Sequence, residues 1–389
     1  MKICYLADAG SIHTKRWAEH FAKQGCDVHV VSMKNAGSNQ VGNVKYHLMN
    51  TIHSKSRFIN SLLRPLNLAL AVIGTKKMAR EIKPDVFHAH FVAEYGLIGA
   101  LAGCRPLIES VWGSDVLAYP KKSKIWKMLV SHALKKGDSI TTTAEFMKGH
   151  LIEKLGASSE KIVRIPWGID LKTFHSGYSG EAKKLRKSLD ISDEAPVILS
   201  PRNMTPMYQI LHILNCIPFV LKAVPDAVFV LMRGYGSKEY EEALAGRARE
   251  LGVSASTRFV SRQVPPKEMA AYFNMADVFI SIPKTDQFAS TIMEGMACGA
   301  IPVVSRIEPY GQYLKDGKNA FFAEPANPNE LADRITHCLK HPEVKKRFSD
   351  VNREIIEENE NWDRNAEIMK ELYEKLSNER SRLVAAARK

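Results

Sequence analysis

Two carboxylates eight places apart, Asp286 and Glu294, bracket a loop that runs into a helix. A carboxylate takes paired hydroxyls as bidentate hydrogen bonds, which suits a ribose or a sugar ring. Ser290 and Thr291 are N-cap types, and the helix they predict carries Met293, Glu294, Met296 and Ala297 before Gly299 stops it. A strand of Val278, Phe279, Ile280 and Ile282 leads in, the residues from Pro283 to Asp286 break it, and Ile301 to Val304 begins the next strand. A helix starting at the mouth of a parallel sheet offers backbone N–H groups and the positive end of its dipole, a ready anion site. The expected chemistry is nucleotide-sugar binding. The amides of Phe288, Ala289, Ser290 and Thr291 would meet a diphosphate, with one acid on the sugar and one on the ribose. The same spacing also fits an ordinary strand–loop–helix with surface acids.

The elements that must position this stretch alternate strand and helix along the whole chain, the pattern of an α/β protein. Lys2 to Ala7 reads as a buried strand, residues 8 to 11 as a turn, Ile12 to Gln24 as an amphipathic helix and Val28 to Ser32 as a second strand. The turn lacks G-x-G-x-x-G, so NAD binding is disfavoured. Asn60 to Arg80 reads as an apolar helix interrupted at Pro65. Asp85 to Phe91 reads as a strand with His88 and His90 on one face. No third ligand accompanies these histidines, which argues against zinc. A last helix is expected from about Trp362 to Asn378, with a frayed end after Glu379. At 389 residues two cores are expected. The limits are 1–168 for the first domain, 169–193 for a linker, 194–361 for the second domain, and 362–389 for a helix and tail packing on the first.

Six scattered cysteines without a C-x-x-C pair suit a reducing, cytoplasmic setting better than a disulfide frame. The start reads as strand and turn rather than a signal peptide, and the longest apolar run, near Leu66 to Gly74, is too short to cross a bilayer. Charge is lopsided: residues 1–168 hold 24 Lys+Arg against 12 Asp+Glu, in a chain whose total is +13. Residues 121–136 alone hold six lysines and no acid. Such a half can dock on an anionic membrane face or a polyanionic glycan, or simply be solvated. No nucleic-acid-binding motif appears.

The stretch from Asp277 to Val304 resembles the acid-x7-Glu segment of family 4 retaining glycosyltransferases, including the Met296-Ala297-Cys298-Gly299 run that follows. The resemblance implies the GT-B fold: two Rossmann-like domains facing a central cleft, with a C-terminal helix crossing back to the first. The first loop and helix are similar too. Gly10 there would allow close approach of a diphosphate or acceptor, and His13 points to the cleft or to solvent. The His88-Ala89-His90 segment resembles the family's fourth strand, which puts His90 on the acceptor side. Where many members carry His before G-S-D, this chain has Trp112, as in a subset of the family. Indole can stack on a sugar but cannot shuttle a proton. Asp115 then contacts a hydroxyl or caps the next helix.

In the second half Arg202 matches the family's diphosphate-binding Arg, while the position of its paired Lys is Met207. Lys284 or Arg262 could compensate. Gly234 lies in a turn similar to the family's nucleotide-side G-x-G. The implied reaction moves a sugar from a UDP- or GDP-linked donor to a saccharide or lipid-linked acceptor with retention and without a metal. Asp286, Glu294, Arg202 and Asp115 are the expected catalytic group. The implied setting is cell-surface glycan synthesis in the cytoplasm or at the inner membrane face. Trp112 and Met207 motivate a second reading, a GT-B-shaped protein that binds a sugar nucleotide or glycan without turnover. A sugar-nucleotide epimerase is a third.

Overall fold

The computed structural model describes residues 1–35, 42–52, 62–286, 288–324 and 327–386. Short apolar runs become strands, and those inside each sheet are buried on both faces, as a parallel sheet demands, while edge strands such as Val44–Leu48 are partly exposed. Seven form one sheet: β1 (Lys2–Leu6), β2 (Asp27–Ser32), β3 (Val44–Leu48), β4 (Val86–His90), β5 (Leu107–Ser110), β6 (Ser139–Thr142) and β7 (Ile162–Arg164). They are ordered β3-β2-β1-β4-β5-β6-β7, with every pair parallel. Six more form the second: β8 (Val197–Ser200), β9 (Val228–Met232), β10 (Thr257–Val260), β11 (Val278–Ser281), β12 (Ile301–Ser305) and β13 (Phe321–Ala323). Their order is β10-β9-β8-β11-β12-β13, again all parallel.

Each sheet is therefore doubly wound, and its strand order reverses once. The reversals fall between β1 and β4 and between β8 and β11. Loops leaving the carboxyl ends of those strands diverge, which opens the crevice where ligands of such sheets bind. The side-chain period of two sorts each strand between layers. In the second sheet Leu199, Val230, Phe279 and Val304 join one apolar cluster, while Ile198, Leu231, Ile280 and Val303 join the other.

The chain divides into two units, residues 1–166 with 366–389, and residues 167–365. Within 169–193, expected as a linker, Phe174, Tyr178 and Ala182 lie in the second unit's core, and Ser179–Ser188 is helical. Asn60 and Ser61 of the expected second helix lie outside the described residues. The helix observed there is Arg64–Ile82, with Pro65 in its first turn. Pro65 opens the helix rather than interrupting it, because a first-turn N–H has no intrahelical partner to lose. The lysine-rich run holds an unexpected helix, Lys124–Lys136, that buries Val130, Ala133 and Leu134. The last helix runs on to Ala386, beyond the fraying expected after Glu379, and Arg380 Nη1 donates to the Pro84 carbonyl at 2.9 Å.

That helix is tied to the first sheet by Tyr373. Its hydroxyl meets His88 Nδ1 at 2.5 Å and the Tyr5 hydroxyl at 3.0 Å, while His88 Nε2 meets Ser110 Oγ at 2.6 Å. Burial lowers the His88 pKa to about 3. An imidazole whose folded pKa lies below its unfolded value of about 6.5 contributes stability above that pH and loses it as pH falls toward 3. The unfolding free-energy gap between wild type and His88→Gln is therefore expected to be widest at pH 7. It narrows by up to about 1.4 kcal/mol per pH unit on acidification. Calorimetry at pH 7 and 4.5 checks this, and an unchanged gap contradicts it.

Candidate active site

Arg202 follows β8, Asp286 lies in the loop after β11, and the second reversal point brings them together. Arg202 Nη2 donates to Asp286 Oδ2 at 2.8 Å. The guanidinium lies over the Tyr208 ring, 4.2 Å from its centroid, and is only 7% exposed. Burial opposes its charge, but Asp286, Tyr310 and Tyr208 more than offset this and raise its pKa. The Tyr310 hydroxyl donates to the same Asp286 oxygen at 3.1 Å. Nη1 of Arg202 is buried and has no hydrogen-bond partner among the described residues.

The loop that carries Asp286 is held by its backbone. Gln209 Nε2 donates to the Ile282 carbonyl at 2.7 Å, Ser305 Oγ to that of Pro283 at 3.0 Å, and the Lys284 amide to that of Met207 at 3.1 Å. Lys284 and Met207 are thus backbone neighbours, both exposed. The helix that follows is Ser290–Ala297, and its N-cap is Ala289 rather than Ser290 or Thr291. Alanine has no side-chain acceptor, so no side chain caps the first turn. Glu294 sits one turn in and half-buried, on the same face as Ser290 and Thr291. Helical side chains lean toward the N-terminus, which aims its carboxylate at that first turn.

The glycines of the expected nucleotide-side turn pack closely against the segment after β8. Gly234 has φ +55°, and a Cβ there would fall 1.9 Å from Asn203 Oδ1, the acceptor of the Tyr235 amide. At Gly236 it would fall 2.3 Å from the Met204 carbonyl oxygen. The turn is fitted to the segment just after Arg202, so these glycines shape the Arg202 loop. Arg262 follows β10, at the sheet edge two strands from β8, where its guanidinium is paired with Glu268 (Nη1 to Oε2, 2.9 Å).

In the first unit a second group gathers at the other reversal point. The His13 ring meets Trp112 edge-on at 5.5 Å, and the His90 ring lies 5.3 Å from Trp112 and accepts or donates at Thr14 Oγ1 over 3.1 Å. Burial, helped by Arg16, lowers the His13 pKa to about 4, and burial holds His90 well below its ordinary value. Both are neutral at pH 7, so this face offers stacking and neutral hydrogen bonding. Gly10 donates its amide to Asp8 Oδ1 at 2.9 Å, so that N–H is already engaged. Asp115 is fully buried and accepts the Val92 amide at 2.9 Å and the Trp112 amide at 3.1 Å. It ties the end of β4 to the end of β5. Its pKa rises to about 6 because burial outweighs those amides.

Comparison with known proteins follows this division. Residues 2–144 match the family described as Glycosyl transferase 4-like, and residues 181–355 match Glycosyl transferases group 1. The chain is a glycosyltransferase. Spore coat protein SA of Bacillus subtilis (strain 168) is 24% identical over 244 residues, 61% of this chain and 64% of that one. Alpha-monoglucosyldiacylglycerol synthase of Acholeplasma laidlawii is 24% identical over 301 residues, 72% and 73% of the two chains. Among solved structures, Anabaena HepE in complex with UDP and glucose matches with a TM-score of 0.74 at 16% identity, over 97% of this chain and 100% of that one. The glycosyltransferase has the GT-B fold. Tyr310, which holds Asp286, carried no signal in the sequence. It lies in a short 3-10 turn, Glu308–Gln312, with no motif of its own.

Proposed function

We propose that this glycosyltransferase moves a hexosyl or N-acetylhexosaminyl group from a UDP- or GDP-linked donor to a hydroxyl of a saccharide or lipid-linked acceptor, with retention at the anomeric carbon. The observation that carries the proposal is the buried Nη1 of Arg202, without a partner among the described residues, on a guanidinium whose Nη2 bonds Asp286 four residues ahead of the uncapped helix Ser290–Ala297. A desolvated donor without an acceptor is costly, and a diphosphate is an anion that the planar guanidinium fork and helix amides both match. Asp286 takes the sugar hydroxyls and Glu294 the ribose. As the bond from the anomeric carbon to the phosphate oxygen breaks, Arg202 and the first-turn amides stabilise the leaving charge. The acceptor oxygen bonds to that carbon on the same face, and its proton passes to a leaving-phosphate oxygen. No protein base and no metal enter these steps.

Incubation with UDP- and GDP-sugars, with and without acceptor extract, tests this through nucleotide release. Release is expected with one donor class and should survive EDTA. Donor binding without release from any donor would favour the non-catalytic alternative, which Trp112 and the exposed Met207 motivate.

We also propose that the basic first unit docks on an anionic membrane surface, as suits cell-surface glycan synthesis from the cytoplasmic side. Ile125 and Met128 stand exposed on one face of the helix Lys124–Lys136 among lysines, an arrangement that lets apolar tips enter the interface while ammonium groups meet lipid phosphates. No helix of the described residues is long and apolar enough to cross a membrane. Sedimentation with phosphatidylglycerol-containing vesicles should exceed that with phosphatidylcholine alone and fall with salt; equal partition into both contradicts docking.

A further inference from the structure

We infer that Tyr310 is a positioning residue that keeps Asp286 turned toward the transferred sugar while Arg202 turns to the diphosphate. The inference rests on the donor-site reading above and adds a residue to it. Two donors converge on Asp286 Oδ2, Arg202 Nη2 at 2.8 Å and the Tyr310 hydroxyl at 3.1 Å. They differ in what a donor substrate does to them. The guanidinium is charged, and an arriving diphosphate competes with Asp286 for its N–H groups through bonds of the same charge-assisted kind. The phenol is neutral and fully buried, its ring lies edge-on to Phe288 with centroids 6.2 Å apart, and nothing draws it toward a phosphate.

Behind Tyr310, Ser281 Oγ lies 3.4 Å from the hydroxyl oxygen, at the end of β11 and fully buried. With the phenolic hydrogen directed at Asp286, that serine is placed to donate to the phenolic oxygen. Burial keeps the phenol protonated, so it stays a donor throughout the working pH range. When the guanidinium turns to a diphosphate, Asp286 retains the phenol at Oδ2. Held at Oδ2, it keeps one orientation toward the hydroxyls it must meet, and that preorganisation is what a transition state needs.

Tyr310→Phe removes one oxygen and preserves the ring packing. Affinities for UDP and GDP, which lack the sugar, should change by less than about twofold. Affinities for UDP-glucose and GDP-mannose should fall toward those of the bare nucleotides, and kcat with an accepted donor should drop by roughly tenfold. In an Asp286→Ala background the same substitution should change nothing further, because the two residues act as one unit. A variant that weakens nucleotide and sugar nucleotide alike, that weakens neither, or that remains additive with Asp286→Ala overturns the inference. If the wild type releases no nucleotide from any donor, the transfer reading fails. The Tyr310 assignment is then decided by the binding comparison alone: selective loss with the sugar nucleotides supports it, and any other pattern overturns it.

Discussion

Arg202→Ala is expected to slow nucleotide release from the preferred donor by about 10²–10³-fold, the range seen when one preorganised donor to a developing anion is removed. The leaving diphosphate loses the guanidinium that neutralises it, and the protein without donor loses the charged partner of Asp286 at 2.8 Å. Arg202→Lys separates them. An ammonium restores charge but not the fork or the stacking over Tyr208, so it should recover part of the rate and remain well below wild type. Folding controls belong with both variants, because the pair is buried and removing one partner leaves the other uncompensated. Steady-state release assays with the three proteins decide the matter. A rate for Arg202→Ala within threefold of wild type would show that the diphosphate binds elsewhere.

Glu294→Ala should act on affinity instead. A carboxylate accepting two ribose hydroxyls makes charge-assisted bonds of about 1.5–3 kcal/mol each, so Kd for UDP or GDP should rise about 100-fold or more. The bare nucleotide should suffer as much as the sugar nucleotide, because the contact is to the ribose. Glu294→Gln keeps one acceptor and should fall between. Titration calorimetry with UDP and GDP reads this directly, and unchanged nucleotide affinity would falsify the ribose assignment. With Tyr310→Phe, which should spare the bare nucleotide, the pair maps the two ends of the donor separately.

The stretch from Asp277 to Val304 was largely legible in the chain because its signals are local. Val278–Ser281, Ser290–Ala297 and Ile301–Ser305 are each marked by their own apolar spacing and by Gly299 behind the helix. The cap was misplaced by a residue or two, since Ser290 and Thr291 have cap chemistry but Ala289 holds the extended backbone at the helix start. Pro65 was misread because a proline says only that the helix is not continuous through it, and it serves equally as a start. Asp115 could be placed in either of two roles. Only the approach of β4 to β5 supplied the Val92 amide that commits it to a buried tie.

By itself the sequence determined the alternation of strand and helix, the two carboxylates eight places apart on either side of a helix start, and the basic first half. These depend on residue types and spacings within one or two turns. The tertiary structure alone decided that Arg202 and Asp286, 84 positions apart, share a hydrogen bond, and that Tyr310 from a third segment meets the same oxygen. It likewise decided that Gly234 yields to Asn203 and that Tyr373 anchors His88. Such partners are set by which strands lie side by side and in what register, and the periodicity of a single segment carries no record of its neighbour.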